Sequence, residues 1–293
     1  MLNVLDIFSG IGGFSIGLEA GGMQTVAFCE INPFCRKILT KHWPSVPIFT
    51  DITTIHKEDL KALPRIDLIA GGFPCQDISV AGKGGGINAK RSGLWKEFAR
   101  LINEIRPKYA IIENVANLRS TGLISVLQDL WAIGYDAEWH CIPASAFGAP
   151  HRRDRIWIIA HPACIGKVGL PIGKEEAESK LGGGSEDVSD TDKQGLQGCR
   201  GFREISQICA QEQVSMYRRS RGIKQWGKEP LEAPRLKDER LNPDWVEWLM
   251  GYPISWTNGG SRKQRLQSLG NAVVPLIPEF LGKVVLDHYT NIQ

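Results

Sequence analysis

The strongest constraint on the fold is an alternation. Six short apolar runs are spaced along the first 160 residues: NVLDIF (3–8), QTVAFCE (24–30), IDLIAGG (66–72), KYAIIEN (108–114), DAEWHCI (136–142) and RIWIIA (155–160). They are rich in β-branched and aromatic residues, as strands are. Between several of them lie stretches with apolar residues three and four apart: NPFCRKILTKHW, LWKEFARLINEI and STGLISVLQDLWAIG. That is the period of an amphipathic helix. Strands alternating with helices predict an α/β chain with a doubly wound, mostly parallel sheet.

The pattern stops after Pro162. Residues from about 165 to 240 hold LGGGSEDVSDTDKQGLQG and the basic YRRSRGIKQWGK, with too little periodic apolar content to build a core. Order returns with NPDWVEWLMGYP, a short aromatic helix, and GNAVVPLIPEFLGKVVLDHY, read as a packed helix or strand-turn-helix. The expected division is therefore 1–163, 164–240 and 241–293, a large domain, an irregular smaller one, and a return of the chain to the first. The 293 residues suffice for that plan.

A net charge of +3 permits a nucleic-acid partner without demanding one. Seven scattered cysteines give neither a disulfide framework nor paired zinc spacing, so no metal is expected. There is no run of 18 apolar residues, and MLNVLDIFSG lacks a basic n-region, so no signal peptide is expected. The expectation is a reduced, cytoplasmic chain without membrane contact.

DIFSGIGGFSIGLEAGG reads as strand, glycine turn, helix. Gly10, Gly12 and Gly13 let backbone amides approach a ligand at the helix N-terminus. The dinucleotide pattern G-x-G-x-x-G is incomplete, because Ser15 takes its last place. Glu30, about twenty residues on, ends the second strand, where a carboxylate accepts hydrogen bonds from ribose hydroxyls. Asp51 is placed to receive an adenine amine. The alternatives are a solvated charge for Glu30 and a turn cap for Asp51. With the glycine turn they describe a nucleoside edge lacking a phosphate cradle, which suits S-adenosylmethionine better than a dinucleotide.

GGFPCQDIS places Cys75 where the IDLIAGG strand ends, at the sheet edge where α/β ligands sit. A free cysteine is most often a small buried hydrophobe. Here Pro74 fixes the turn, Gln76 and Ser79 add polar groups, and Gly82, Gly84, Gly85 and Gly86 make the next loop a lid candidate. Glu113 and Asn114 end the next strand. After so apolar a run, Glu113 is expected to be desolvated, with a raised pKa suited to proton donation rather than serving as a solvated strand-end charge. Arg153 and Arg155, two apart at a strand start, are positioned to share one face. Surface charge is their alternative; beside a thiol and a carboxyl they can grip a base oxygen and a phosphate.

These motifs together resemble the DNA (cytosine-5) methyltransferases of bacteria and phages. DIFSGIGGF is similar to the family's first motif, FCE to its ribose-binding motif, GFPCQDIS to its catalytic Pro-Cys motif, and ENV to its base-contacting motif. RRDRIWIIA and SLGNAVVP resemble the arginine and closing motifs. His151 stands where the family often has glutamine, and NPDWVEWLMGYP replaces the commoner penultimate motif. The resemblance covers residues 1 to about 160 and 240 to 290. It implies the S-adenosylmethionine-dependent methyltransferase fold, with 164–240 as target-recognition region.

The resemblance also implies roles. Cys75 would add to carbon 6 of a flipped-out cytosine, so that carbon 5 accepts a methyl group. Glu113 would bond ring nitrogen 3 and the exocyclic amine, and Arg155 the base carbonyl, with Arg153 supporting the pocket. Water or a side chain would carry off the carbon 5 proton. For the cofactor, Phe8 would stack on adenine, Glu30 hold ribose, Asp51 the amine, and Asn271 line the methionine end, with Gly10, Gly12, Gly13 and Pro74 around them. Gln76 and Ser79 are candidate DNA contacts; so, on their own composition, are Arg218, Arg219 and Arg221, for which a solvated linker is the alternative. The implied partner is double-stranded DNA, with a monomeric enzyme, nucleoid-associated in a bacterial cell or phage-infected host, and a restriction endonuclease for the same site as possible companion. A transfer-RNA cytosine methyltransferase is the main rival, but its usual Cys-Phe-Thr signature is missing. A nicotinamide dehydrogenase requires the glycine pattern that is incomplete here. A silent DNA-binding homologue would be expected to lose Cys75 or Glu113.

Overall fold

The six apolar runs become the long strands of one sheet, in a computed structural model that describes residues 1–74, 93–163 and 226–291. They are β1 (Asn3–Ile7), β2 (Gln24–Cys29), β4 (Leu68–Gly72), β5 (Tyr109–Val115), β6 (Tyr135–Pro143) and β7 (Asp154–Pro162). A two-residue β3 (Ile48–Phe49) completes seven strands in the order β3-β2-β1-β4-β5-β7-β6. All neighbours are parallel as far as β5; β7 runs antiparallel to both β5 and β6. The mostly parallel expectation holds, with its exception at one side.

Burial explains the near-continuous apolar strands, because helices cover both faces. On one face lie α1 (Gly13–Ala20) and α8 (Leu276–Asn291), with Phe14, Leu18, Trp157, Ile277 and Leu281 in the core. On the other lie α3 (Gly93–Ile105) and α5 (Leu123–Ala132), after the short α4 (Leu118–Thr121). Helix α3 buries Trp95, Phe98, Ala99, Leu101 and Ile102, the stripe that its sequence spacing predicts. Helix α2 (Pro33–His42) starts at Asn32, whose side chain accepts from the amides of Phe34 at 2.9 Å and Cys35 at 3.3 Å.

The C-terminal part begins with a hairpin, β8 (Leu236–Lys237) and β9 (Arg240–Leu241), then α6 (Pro243–Met250), α7 (Arg262–Asn271) and α8. Trp226, grouped above with the basic cluster, belongs here: its indole donates to the Trp248 carbonyl at 3.0 Å, so it packs rather than reads a ligand. The strand-turn alternative for GNAVVP is not realised; these residues end α7 and lead into α8. The α7–α8 stretch is long and apolar enough to pass for a membrane span, yet most of its apolar window is buried. Helix α8 packs on α1 so closely that a Cβ on Gly17 would lie 2.2 Å from the Pro275 carbonyl oxygen. The terminal helix thus shares one core with α1.

Strand order reverses between β1 and β4. In open α/β sheets such a point opens a crevice beyond the carboxyl ends of the strands. Ile7, Gly72 and Val115 end their strands there, and antiparallel β7 begins at the same edge.

Candidate active site

Among the described residues, the carboxyl edge brings Glu113, Asn114 and Arg155 together. Gly72 of β4 is paired with Glu113 of β5, and Val115 with Arg155 of β7. A Cβ on Gly72 would stand 2.5 Å from Glu113 Oε2, so the missing side chain makes the room that this carboxylate occupies. Glu113 Oε1 accepts from Arg155 Nε at 2.8 Å, and Arg155 Nη1 also donates to the Asp154 carbonyl at 2.9 Å. Burial holds the Glu113 carboxyl above the ordinary glutamate range, against the opposing pull of Arg155 and Arg153. The expected desolvated carboxyl is present.

Asn114 is buried beside it. Its Nδ2 donates to the Phe73 carbonyl at 3.0 Å and its Oδ1 accepts from the Val115 amide at 2.8 Å. The β5 end therefore grips the backbone that leads into Pro74, which is exposed. Cys75, Gln76 and Ser79, and Arg218, Arg219 and Arg221, lie outside the described residues. Two other thiols are excluded as nucleophiles: burial pushes Cys29 and Cys35 up to about 12.

The two arginines take different partners, a correction to their reading as one shared face. Arg153 precedes β7 with φ of 38°, which breaks the strand alternation. Its Nη2 donates to the carbonyls of Gly270 at 2.8 Å and Ala272 at 2.6 Å, clamping the end of α7 around exposed Asn271. Burial, reinforced by Arg155, pushes its guanidinium down to about 10. His151 Nε2 lies 2.9 Å from the Leu249 carbonyl, tying the same loop to α6.

At the β1–β2 end, Glu30 is held by protein amides: Gly10 N donates to Oε2 and Asn32 N to Oε1, each at 2.7 Å. Each oxygen keeps a lone pair for a ligand hydroxyl. A Cβ on Gly10 would meet nothing within 4 Å, so the turn is open there. Gly12 and Gly13 face protein instead: their Cβ atoms would meet the Trp43 ring at 2.5 Å and the Tyr252 hydroxyl at 2.2 Å. Phe8, half-buried with φ of 53°, leads into this turn, and its ring lies 6.3 Å from that of Phe98. Asp51 does cap a turn, accepting from the Thr53 amide at 2.9 Å and hydroxyl at 2.8 Å, both through Oδ1. The capping alternative and a ligand at Oδ2 are compatible.

Sequence reasoning quoted Gly72 and Asn114 within GFPCQDIS and ENV but gave them no part in shaping the Glu113 site, where they now stand. It missed Trp256, which stacks on His42 at 3.5 Å between centroids and donates to the Ile11 carbonyl at 2.9 Å, bracing the glycine turn from far along the chain.

Residues 2–180 match the family model for C-5 cytosine-specific DNA methylases. The type II methyltransferase M2.BsuMI of Bacillus subtilis (strain 168) is 31% identical over 299 residues, covering 96% of this chain and 75% of that protein. The type II methyltransferase M.CviJI of Paramecium bursaria Chlorella virus IL3A is 38% identical over 158 residues, 53% of this chain and 42% of that one. Among solved structures, an E. coli prophage-encoded protein assigned as a DNA modification methyltransferase aligns with a TM-score of 0.64 and 20% identity, over 99% of this chain and 100% of that one. A mutant DNMT2 of Spodoptera frugiperda aligns at 0.63 and 18%, over 98% and 100%. Both structural likenesses speak to the fold.

Proposed function

This chain belongs to the C-5 cytosine-specific DNA methylase family, and from that premise we propose that it methylates carbon 5 of a flipped-out cytosine within a specific double-stranded DNA sequence, as a type II modification enzyme. The observation that carries the reading is the half-buried Glu113–Arg155 pair, set against side-chain-free Gly72 only three residues before Cys75.

S-adenosylmethionine, when bound, supplies the electrophilic methyl group. The residues at the β1–β2 end fit it: Glu30 has lone pairs left for ribose hydroxyls, Gly10 leaves open space, and Phe8 offers a ring face for adenine. Asp51 Oδ2 is available for the adenine amine, and exposed Asn271 would line the methionine end beside Pro74. Gly12 and Gly13 keep this turn close to Trp43 and Tyr252.

Carbon 5 of cytosine is too weak a nucleophile to attack the methyl group unaided. The Cys75 thiolate adds to carbon 6, and the electron pair of the 5,6 double bond becomes available at carbon 5. Glu113, whose protonated form burial favours, donates to ring nitrogen 3 and stabilises the charge that gathers there. Arg155 holds the base carbonyl and orients Glu113. Arg153 is a positioning residue that fixes the end of α7. After carbon 5 is methylated, water or a side chain removes its proton, the double bond re-forms, and the thiolate leaves.

None of these atoms is reachable in a stacked duplex, so the cytosine must leave the stack. Gln76 and Ser79 would contact the flipped nucleotide's strand. Residues 164–240 would read the site, with Arg218, Arg219 and Arg221 as major-groove contacts. The enzyme would act as a monomer beside chromosomal DNA, and an endonuclease for the same site would be its natural companion. Bisulfite sequencing of DNA from cells expressing the chain tests the reading. One recurrent sequence context with protected cytosines is expected; unmodified DNA, with modified transfer RNA instead, would overturn it.

A further inference from the structure

A second basic feature lies away from the candidate active site. A cavity of about 360 Å³ opens between the β8–β9 hairpin and the start of α7, and its charged lining is Lys237, Asp238, Arg240, Asp244, Arg262 and Arg265. Arg265 is neutralised, because it pairs with Asp244 and buried Glu247. Lys237, Arg240 and Arg262 form no ion pair among the described residues; of the two lining carboxylates, Asp244 is taken by Arg265, which leaves Asp238 to face them.

The cavity is built rather than incidental. Asp238 and Glu239 both have positive φ, 51° and 59°, the two-residue turn that matches strand twist in a tight hairpin. Arg262 Nε donates to the Leu241 carbonyl at 2.9 Å, and Asn242 Nδ2 to the Pro234 carbonyl at 2.9 Å, fixing the hairpin to the helices. The caps of α6 and α7 are already filled by the Asn242 and Ser261 side chains, so binding falls to the three cations.

Helix α7 connects this cavity to the active site. Arg262 lies at its start, and the Gly270 carbonyl near its end is held by Arg153. At about 1.5 Å per residue the eight steps between them span about 12 Å, and a DNA strand advances about 3.4 Å per nucleotide.

We propose that Lys237, Arg240 and Arg262 bind a backbone phosphate of the DNA within about four nucleotides of the target cytosine, at the 12 Å and 3.4 Å spacings just given. The proposal rests on the reading of the chain as a DNA methylase. An isolated phosphate ion shares the chemistry, and the test separates the two.

The experiment measures duplex affinity against salt for the full chain and for Lys237→Ala/Arg240→Ala/Arg262→Ala, with cofactor affinity as the control for folding. The variant is expected to bind about tenfold more weakly to cognate and non-cognate duplex alike, with a salt slope lower by about 0.9 for one lost phosphate contact. Because Arg262 also secures the hairpin, Lys237→Ala/Arg240→Ala is measured beside it and should show the same direction. A neutral methylphosphonate linkage is then moved along the target strand. At one position within about four nucleotides of the cytosine it should weaken the full chain and leave the triple variant unchanged. Unaltered affinity and slope in both variants would overturn the proposal. So would inorganic phosphate binding that the substitutions abolish without any change in duplex binding. A full chain that binds no duplex would overturn the methylase reading itself.

Discussion

Arg155 Nε lies 2.8 Å from Glu113 Oε1 across two antiparallel strands, in a site where burial and charge pull the carboxyl in opposite directions. Burial is the larger influence and favours the protonated form, while Arg155 and then Arg153 favour its loss. The balance sets the pH range in which Glu113 can donate to a base. In the proposed mechanism the protonated form is the active one, so turnover should fall as pH rises through its pKa. Replacing Arg155 with Gln removes the first opposing charge, so that falling limb should move to higher pH even as the maximal rate drops. A single-turnover pH profile reads both. A limb that stays put or moves down would mean that Glu113 is not the titrating donor. Glu113→Gln itself should cost on the order of a hundredfold in rate.

Gly72→Ala tests the space that Glu113 occupies. The new Cβ would come 2.5 Å from Oε2, the far end of a side chain that can swing away. Stability should change little, while the rate falls tenfold or more, of the size expected for a misplaced catalytic group. Thermal melts and steady-state rates on the same preparation decide it; full activity would show that the carboxyl has freedom to spare.

Cys75→Ala should abolish methyl transfer and leave S-adenosylmethionine affinity unchanged, because the thiol bonds only to the base. DNA carrying fluorine at carbon 5 of the target should trap the unsubstituted enzyme covalently, since fluorine cannot leave as a proton does. Turnover by the alanine variant, or a missing denaturation-resistant adduct on cognate DNA, would rule out the mechanism.

Asp6 predicts a pH dependence of stability. It is fully buried in β1, accepts from Ser15 Oγ at 2.7 Å through Oδ2, and has no partner for Oδ1 among the described residues. Burial pushes its carboxyl up to about 7 from 3.8. A folded-state pKa above the unfolded one stabilises at low pH, and that advantage is lost as pH rises from about 4 to about 7. The loss is on the order of 4 kcal/mol at most. Asp6→Asn keeps an acceptor for Ser15 and removes the titration, so it should be more stable than the parent chain at pH 8 and should flatten the curve. Denaturant midpoints at pH 5 and pH 8 measure it. An equal penalty for Asn at both values would assign Asp6 a purely packing role.

Helix α7 marks one limit of what the chain announces locally. Its residues, RKQRLQSLGN, bury only Ser268 and Leu269, so no apolar stripe reveals it. Only the Ser261–Gln264 capping box would have signalled its start. Arg153 illustrates another limit. Two arginines at alternate positions read as one face, but a positive φ at Arg153 turns it toward α7, more than a hundred residues away.

The sequence alone determined the six long strands, most of the helices and the chemical groups expected at the sheet edge, but not β3 or the β8–β9 hairpin. Local patterning and covalent spacing are enough for that: apolar runs must be buried, and residues that end parallel strands must share an edge. Tertiary structure decided what each group faces. Glu113 depends on the absent side chain of Gly72 and on Arg155 across the sheet. Gly12 and Gly13 are shaped by Trp43 and Tyr252, and the glycine turn is braced by Trp256. Those contacts join residues far apart in the chain, and the burial that shifts a carboxyl exists only once distant segments have excluded water around it.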